Sequence, residues 1–333
     1  MIYYRPYTLT EFIGQKRIKE ELSVYISSVK KRNDIFPHTF FIGAPGLGKT
    51  TLARIIAYEL KRDLKITSGP VLDKTGTLAA ILTNLKEGNI LFIDEIHRMS
   101  KPCQEILYTA MEDFALDIVI GKGNTGKTIR LNLPKFTLIG ATNKPSLCLA
   151  PLRDRFQLIF KLDYYKDEEL RDIIIEVSKS WGLKIGKDSA LKLAKASKGI
   201  PRQALNLIRR LREFVLLNSK FSNKKLLKVS SQEFEKFLKL LDIDEWGLTP
   251  EDRKCLLTLY KEFNGGPVGV SSLALSVNIT PEEFETIYEP ALIRLGLIAR
   301  TKRGRILTQK GYLYLKEKFN ISYKEELPCL FSN

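Results

Sequence analysis

A short apolar run, Thr39-Phe40-Phe41-Ile42, leads directly into Gly43-Ala44-Pro45-Gly46-Leu47-Gly48-Lys49-Thr50-Thr51, after which Leu52, Ile55, Ile56 and Leu60 recur at helical spacing. The order strand, G-x-x-x-x-G-K-T loop, helix fixes a local fold. Gly43, Gly46 and Gly48 let the loop curl so that successive N–H groups point inward, and a helix starting near Lys49 adds its positive end. Such a loop cradles phosphates. Lys49 is placed to reach the β- and γ-phosphates of a nucleotide, and the Thr50 hydroxyl to ligate Mg²⁺.

Further apolar β-type runs at 90–93, 137–140 and 158–162 join the one at 39–42, with segments between them long enough for parallel crossovers. An α/β parallel sheet is predicted. The run Ile90-Leu91-Phe92-Ile93 ends in Asp94-Glu95, which delivers two carboxylates to the C-terminal edge of that sheet, where ligands of such sheets bind. Asp94 is expected to hold Mg²⁺ through water, and Glu95 to polarise the water that attacks the γ-phosphate. Alone the pair reads equally as a helix-capping acid pair; after a phosphate loop it reads as chemistry. His97, with only His38 for company, is expected to orient its neighbours rather than bind zinc.

After Tyr165 the β-type runs stop, and helical spacing over 167–182, 188–199 and 201–218 predicts a small helical domain. Ser230 with Glu233 forms a capping-box pattern for one more helix, ending near Asp242. From Thr249 three helices are predicted, over 252–263, 271–277 and 281–295, then a hairpin with its turn at Lys302-Arg303-Gly304. That is the order of a winged helix. Its wing carries Arg300, Lys302, Arg303 and Arg305, which suit phosphates without reading bases, although a solvated basic turn has the same composition. The net charge of +16, from 54 basic and 38 acidic residues, favours polyanionic partners. The segment 114–135 alternates apolar and polar residues around Gly121-Lys122-Gly123-Asn124 and predicts an inserted hairpin. The four cysteines are too far apart for a metal pair or a secreted disulfide framework and are expected to be buried fillers. With no apolar run of membrane-spanning length, a soluble cytoplasmic protein is expected.

The chain resembles the RuvB family, the AAA+ motors that drive branch migration of Holliday junctions in bacteria, over nearly all its length. The likeness is carried by Arg5-Pro6, Phe12-Ile13-Gly14-Gln15, the phosphate loop, Ile66-Thr67-Ser68-Gly69-Pro70, and Leu78 through Leu85. It continues through Leu91 to Arg98, Ala110-Met111-Glu112-Asp113, Leu116 to Gly121, Phe136 to Thr142, and Pro151-Leu152-Arg153-Asp154-Arg155-Phe156. Gly265-Gly266-Pro267-Val268-Gly269 and Arg303-Gly304-Arg305 complete it.

The resemblance implies an AAA+ ATPase core over 1–165, a small all-α lid over 166–243 and a C-terminal winged-helix domain over 244–333. It implies ATP and Mg²⁺ as cofactors, and a homo-oligomeric ring, a hexamer, around duplex DNA at a Holliday junction. Nucleotide contacts are implied for Tyr4, Arg5, Gly46, Gly48, Lys49, Thr50, Thr51, Glu112, Asp113, Phe114, Arg155, Tyr165 and Arg202, although Tyr4 could equally be a packing residue. Asn143 takes the γ-phosphate-sensing position where the family has threonine, and it would equally suit a turn before Lys144-Pro145. Arg155, expected at the start of a strand, is implied to be a finger supplied to a neighbouring subunit's site, and a surface pair with Asp154 is the plainer reading. Arg300, Arg303 and Arg305 are implied to contact DNA, and the 114–135 hairpin to engage a RuvA-like partner. Two other classes share parts of this pattern. One is a clamp-loader or initiator-type switch, and the other an ATP-regulated winged-helix regulator.

Overall fold

The structure, a computed structural model, describes residues 5–120, 127–218 and 227–321. The chain divides into two compact units, Met1–Ile173 with Ile200–Arg202, and Ile174–Gly199 with Gln203–Asn333.

The first unit is built on strands β1 (Thr39–Ile42), β2 (Leu64–Ser68), β3 (Ile90–Asp94), β6 (Thr137–Thr142) and β7 (Leu158–Lys161). They form one parallel sheet in the order β2-β3-β6-β1-β7. Side chains alternate across a sheet, and here both sets are buried: Phe40, Leu91, Ile93 and Leu138 on one face, Phe41, Phe92 and Ile139 on the other. A sheet apolar on both faces needs helices on both. Those of this unit are α1 (Lys16–Arg32), α2 (Lys49–Leu60), α3 (Thr75–Thr83), α4 (Lys101–Asp113) and the short α5 (Ala150–Asp154). The helical spacing after the phosphate loop is borne out, since Leu52, Ile55 and Ile56 of α2 are fully buried.

Sequence reading predicts four strands; the sheet has a fifth, β2, at its edge. Its Leu64, Lys65, Thr67 and Ser68 are half-buried and Ile66 is exposed, so it lacks the continuous apolar run by which the central strands announce themselves. The inserted hairpin is present as β4 (Ala115–Ile120) paired antiparallel with β5 (Lys127–Asn132). Gly121, Lys122, Gly123 and Asn124, expected at its turn, lie outside the described residues.

The second unit contains the second half of α6 (Asp167–Ser180), from Ile174, then α7 (Lys187–Ala196), α8 (Pro201–Asn218) from Gln203 onward, and α9 (Ser231–Leu240). A two-residue parallel ribbon, β8 (Leu183–Lys184) with β9 (Leu227–Lys228), ties the helices together. The capping box at Ser230 and Glu233 forms as the spacing predicts. The winged helix follows as α10 (Pro250–Lys261), α11 (Val270–Val277), α12 (Pro281–Glu283), a π-turn at Phe284–Tyr288 and α13 (Glu289–Arg294). Its wing is β10 (Ile298–Thr301) with β11 (Gly304–Leu307), and α14 (Gln309–Phe319) packs behind it, a helix that the sequence pattern did not flag. Leu256, Leu273, Phe284, Leu292, Leu297 and Leu315 fill this core.

Cys103, Cys148 and Cys255 are buried and free, as fillers should be, whereas Cys329 lies outside the described residues. Among the described residues no helix is long and apolar enough to cross a membrane.

Candidate nucleotide site and nucleic-acid interface

The loop between β1 and α2 is shaped by its glycines. Gly46 and Gly48 have φ of 84° and 106°, a region that L side chains avoid. A Cβ on Gly46 would also lie 2.8 Å from Cβ of Arg202. The loop is anchored to the sheet where Gly43 N–H donates to the Thr142 carbonyl at 3.0 Å. Lys49, the first residue of α2, is only 8% exposed, and its ammonium donates to the carbonyls of Gly43 at 2.8 Å and Ala44 at 2.9 Å. Burial pushes this lysine down to about 8, against the pull of Asp94 and Glu95, while Arg202 pushes it further down. A positive charge held this way is poorly solvated and ready for an anion. Thr50 and Thr51 follow half-buried on the first turn.

β3 brings Asp94 to the sheet edge, and its Oδ1 accepts the Glu95 N–H at 3.0 Å. Glu95 is non-glycine at φ 49°, a strained conformation typical of functional turns, and its carboxylate accepts from Arg98 at 3.1 Å. The Ser68-Gly69-Pro70 stretch gains a physical reason here, because a Cβ on Gly69 would lie 2.2 Å from the Glu95 carbonyl oxygen. His97 orients a neighbour, as expected. Its Nδ1 lies 2.9 Å from Thr142 Oγ1, and Lys144 N–H donates to that same oxygen at 2.9 Å. The threonine hydroxyl thus joins the end of β6 to an imidazole whose pKa burial lowers. Thr142 ends β6, and Asn143 stands half-buried one residue beyond it, at the sheet edge shared with Asp94.

Two distant segments brace the loop. Tyr165 O–H donates to the Leu47 carbonyl at 3.3 Å, its ring fills the space a Cβ on Gly14 would need, and the Phe12 ring lies against Gly48. Gln15 completes the brace by donating to the Asp163 carbonyl at 2.6 Å. This explains Phe12-Ile13-Gly14-Gln15 as a support for the loop, a role that only the fold reveals. The Arg202 N–H reaches the Gly46 carbonyl at 3.4 Å, so that arginine starts α8 beside the phosphate loop. Arg5 is exposed, and Tyr4 lies outside the described residues.

Arg155 requires a correction. It does not start a strand but caps the C-terminus of α5, and its guanidinium pairs with Glu112 at 2.6 Å rather than with Asp154. Glu112 lies in the last turn of α4; its neighbour Asp113 pairs with Arg130 of β5 at 2.6 Å, and Phe114 caps the helix at φ 47°.

In the winged helix the basic residues separate into two kinds. Arg300 is exposed, as are Lys302 and Arg303 at the two-residue turn between paired Thr301 and Gly304. Arg305, expected beside them as a DNA contact, is a second correction: its side chain is 7% exposed and bound by Glu289 at 2.7 Å and Glu285 at 2.8 Å. Its backbone also bridges Val268 in both directions, at 3.0 and 2.8 Å. The Gly265-Gly266-Pro267-Val268 stretch is thus the third edge of the wing, and Gly304 is needed because a Cβ there would lie 2.2 Å from the Val268 carbonyl.

Three family models match the chain in order. They are described as the Holliday junction DNA helicase RuvB P-loop domain over residues 4–162, the RuvB AAA lid domain over 165–244, and the RuvB C-terminal winged helix domain over 245–316. The Holliday junction branch migration complex subunit RuvB of Fervidobacterium nodosum is 49% identical over 311 residues, covering 93% of this chain and 88% of its own. That of Thermosipho melanesiensis is 49% identical over 307 residues, covering 92% of this chain and 96% of its own. The solved Thermotoga maritima RuvB Holliday junction branch migration motor superposes with a TM-score of 0.81 at 41% identity, covering 94% of this chain and 98% of that one.

Proposed function

This chain belongs to the RuvB family, and on that premise we propose that it is an ATP-driven motor promoting branch migration of Holliday junctions in recombination and repair. The observation that carries this reading is the buried Lys49 ammonium, set in a glycine cradle with Asp94, Glu95 and Arg202 around it, in a chain that also holds a basic wing. Nucleotide phosphates would take the Lys49 donors from the Gly43 and Ala44 carbonyls. Thr50 and Asp94 supply the hard oxygen donors that fit Mg²⁺, which when bound offsets charge on the β- and γ-phosphates. Glu95 polarises the attacking water, and Asn143 hydrogen-bonds the γ-phosphate or that water.

The division of labour follows 1–165 as ATPase, 166–243 as lid and 244–333 as winged helix, a partition supported by the spans of the three family models. Arg155 acts on the site of the adjacent subunit, together with Glu112, Asp113 and Phe114. The working form is a cytoplasmic hexameric ring on duplex DNA. Arg300, Lys302 and Arg303 face the duplex, and the β4–β5 hairpin docks a RuvA-like protein through a face on which Ile129 and Leu131 are exposed.

The test is ATP-dependent dissociation of a synthetic four-way junction, with and without a RuvA-like partner. Dissociation that needs ATP and is stimulated by the partner is expected. Junctions left intact while linear duplex is bound sequence-specifically would overturn the motor reading in favour of a regulator.

A further inference from the structure

Lys198 and Asp252 form a buried ion pair inside the second unit, with their side chains 8% and 0% exposed. The two residues belong to different parts of that unit. Lys198 follows α7, at φ 52°, and Asp252 is the third residue of α10, the first helix of the winged helix. One oxygen of Asp252 takes three donors: the Lys198 ammonium, and Thr249 N–H and O–H at 2.9 Å each. Its other oxygen is buried with no partner among the described residues. Removing one partner of a buried pair leaves the other buried without a counter-charge.

A second contact seals the same seam. Gly247 has φ 78°, and a Cβ there would lie 2.7 Å from Ala196 N, so backbone presses on backbone just before the winged helix begins. Arg253, beside Asp252, donates to the Asp242 and Leu248 carbonyls at 2.9 Å each, which closes the connecting segment on itself. In place of a free linker there is a packed, charged joint. Only Gly199-Ile200-Pro201 separates Lys198 from Arg202, the residue whose N–H meets the phosphate loop.

We propose that Lys198 and Asp252 are positioning residues of the motor: their buried pair makes the stretch ending at Lys198 and the winged helix a single moving part, so that a nucleotide-driven shift at Arg202 is delivered to the wing. The inference rests on the motor reading above. Neither residue is among those assigned to the nucleotide; the pair sets how much work each hydrolysis yields.

The experiment compares full-length wild type with the double variant Lys198→Met/Asp252→Asn, which removes both charges and leaves the Thr249 cap an acceptor. Lys192→Met, which breaks the exposed Lys192–Glu235 pair, is the control. Duplex-stimulated ATP hydrolysis and four-way-junction dissociation are measured on the same samples. The expected result is hydrolysis within about twofold of wild type, with junctions dissociated per ATP hydrolysed down about tenfold, the range of an ordinary coupling energy. An unchanged ratio, or hydrolysis and dissociation falling together, overturns the proposal. Amide hydrogen exchange in the wild-type protein reads the same joint without a variant. A slowly hydrolysed ATP analogue should change exchange at the end of α7 and the start of α10 together, and a response confined to α7 overturns the proposal even if the double variant fails to fold. Should wild type dissociate no junction at all, the motor reading fails first, and the exchange result still decides whether the joint is rigid.

Discussion

The carboxylate of Glu112 lies 2.6 Å from the guanidinium of Arg155, so the proposed finger is held in the single chain by an acid from the helix that carries its companions. Both side chains are about half exposed, and such a pair contributes at most about 1 kcal/mol. A triphosphate on a neighbouring subunit competes easily with so weak a partner. Arg155→Ala is therefore expected to lower ATP turnover by about 10³-fold or more while changing nucleotide affinity little. Mixing Arg155→Ala with Lys49→Ala subunits should restore part of the activity, because each intact phosphate loop can then meet an intact finger. No recovery at any mixing ratio, measured as phosphate release, would sink the action in trans.

Lys49 gives the free protein a defined pH response. Its pKa is lowered from 10.5 to about 8 by burial, so between those values the unfolded chain binds the extra proton and stability rises with pH. Relative to wild type, Lys49→Met should show its largest gain in Tm near pH 7, and the gain should shrink as pH rises from 8 to 10.5. Nucleotide phosphates favour the charged ammonium, so binding near pH 8 should take up protons. Calorimetric titrations in two buffers of different ionisation enthalpy check this, and identical binding heats would contradict it.

How much of this was legible in the sequence depended on how strongly a residue advertises itself. The phosphate loop did so through glycines that no other residue can replace, and Asp94-Glu95 through the continuous apolar strand before it. β2 did not, because an edge strand is only half-buried and its Lys65 breaks the apolar run. Gly69 stood within a matched stretch without a reason until the fold set it against the Glu95 carbonyl, a contact between residues far apart in sequence. The basic wing misled for the same cause. Alternation and charge do not distinguish an arginine that points to solvent from one that faces two glutamates on another element.

That distinction at the wing separates two phenotypes. Arg305→Ala would leave Glu289 buried without its cation, a loss that costs about 3 kcal/mol or more, and should appear as a lowered Tm of the whole second unit. Arg300→Ala and Arg303→Ala touch exposed side chains and should leave Tm nearly unchanged. Each is expected to weaken duplex binding regardless of sequence and to reduce the slope of log K against log salt by about one. Fluorescence anisotropy at several salt concentrations measures that slope, and an unchanged slope in both would remove the wing tip from the DNA contact.

Gly69 offers the sharpest separation of binding from chemistry. The atoms a Cβ would meet, the Glu95 carbonyl oxygen at 2.2 Å and Met99 N at 3.1 Å, are backbone and cannot swing aside. Gly69→Ala must therefore displace the turn that carries Asp94 and Glu95, while the loop that holds Lys49 lies on a different strand. A displacement of about 1 Å at a reacting group can cost about 10²-fold in rate. Gly69→Ala should thus behave as a weaker Glu95→Gln, with nucleotide bound within a few-fold of wild type and single-turnover hydrolysis down about 10²-fold. Nucleotide titration and quenched-flow hydrolysis on the same preparation separate the two quantities. Equal losses in binding and hydrolysis would mean that the turn supports the phosphate loop itself, and unaltered hydrolysis would mean that Glu95 tolerates the shift.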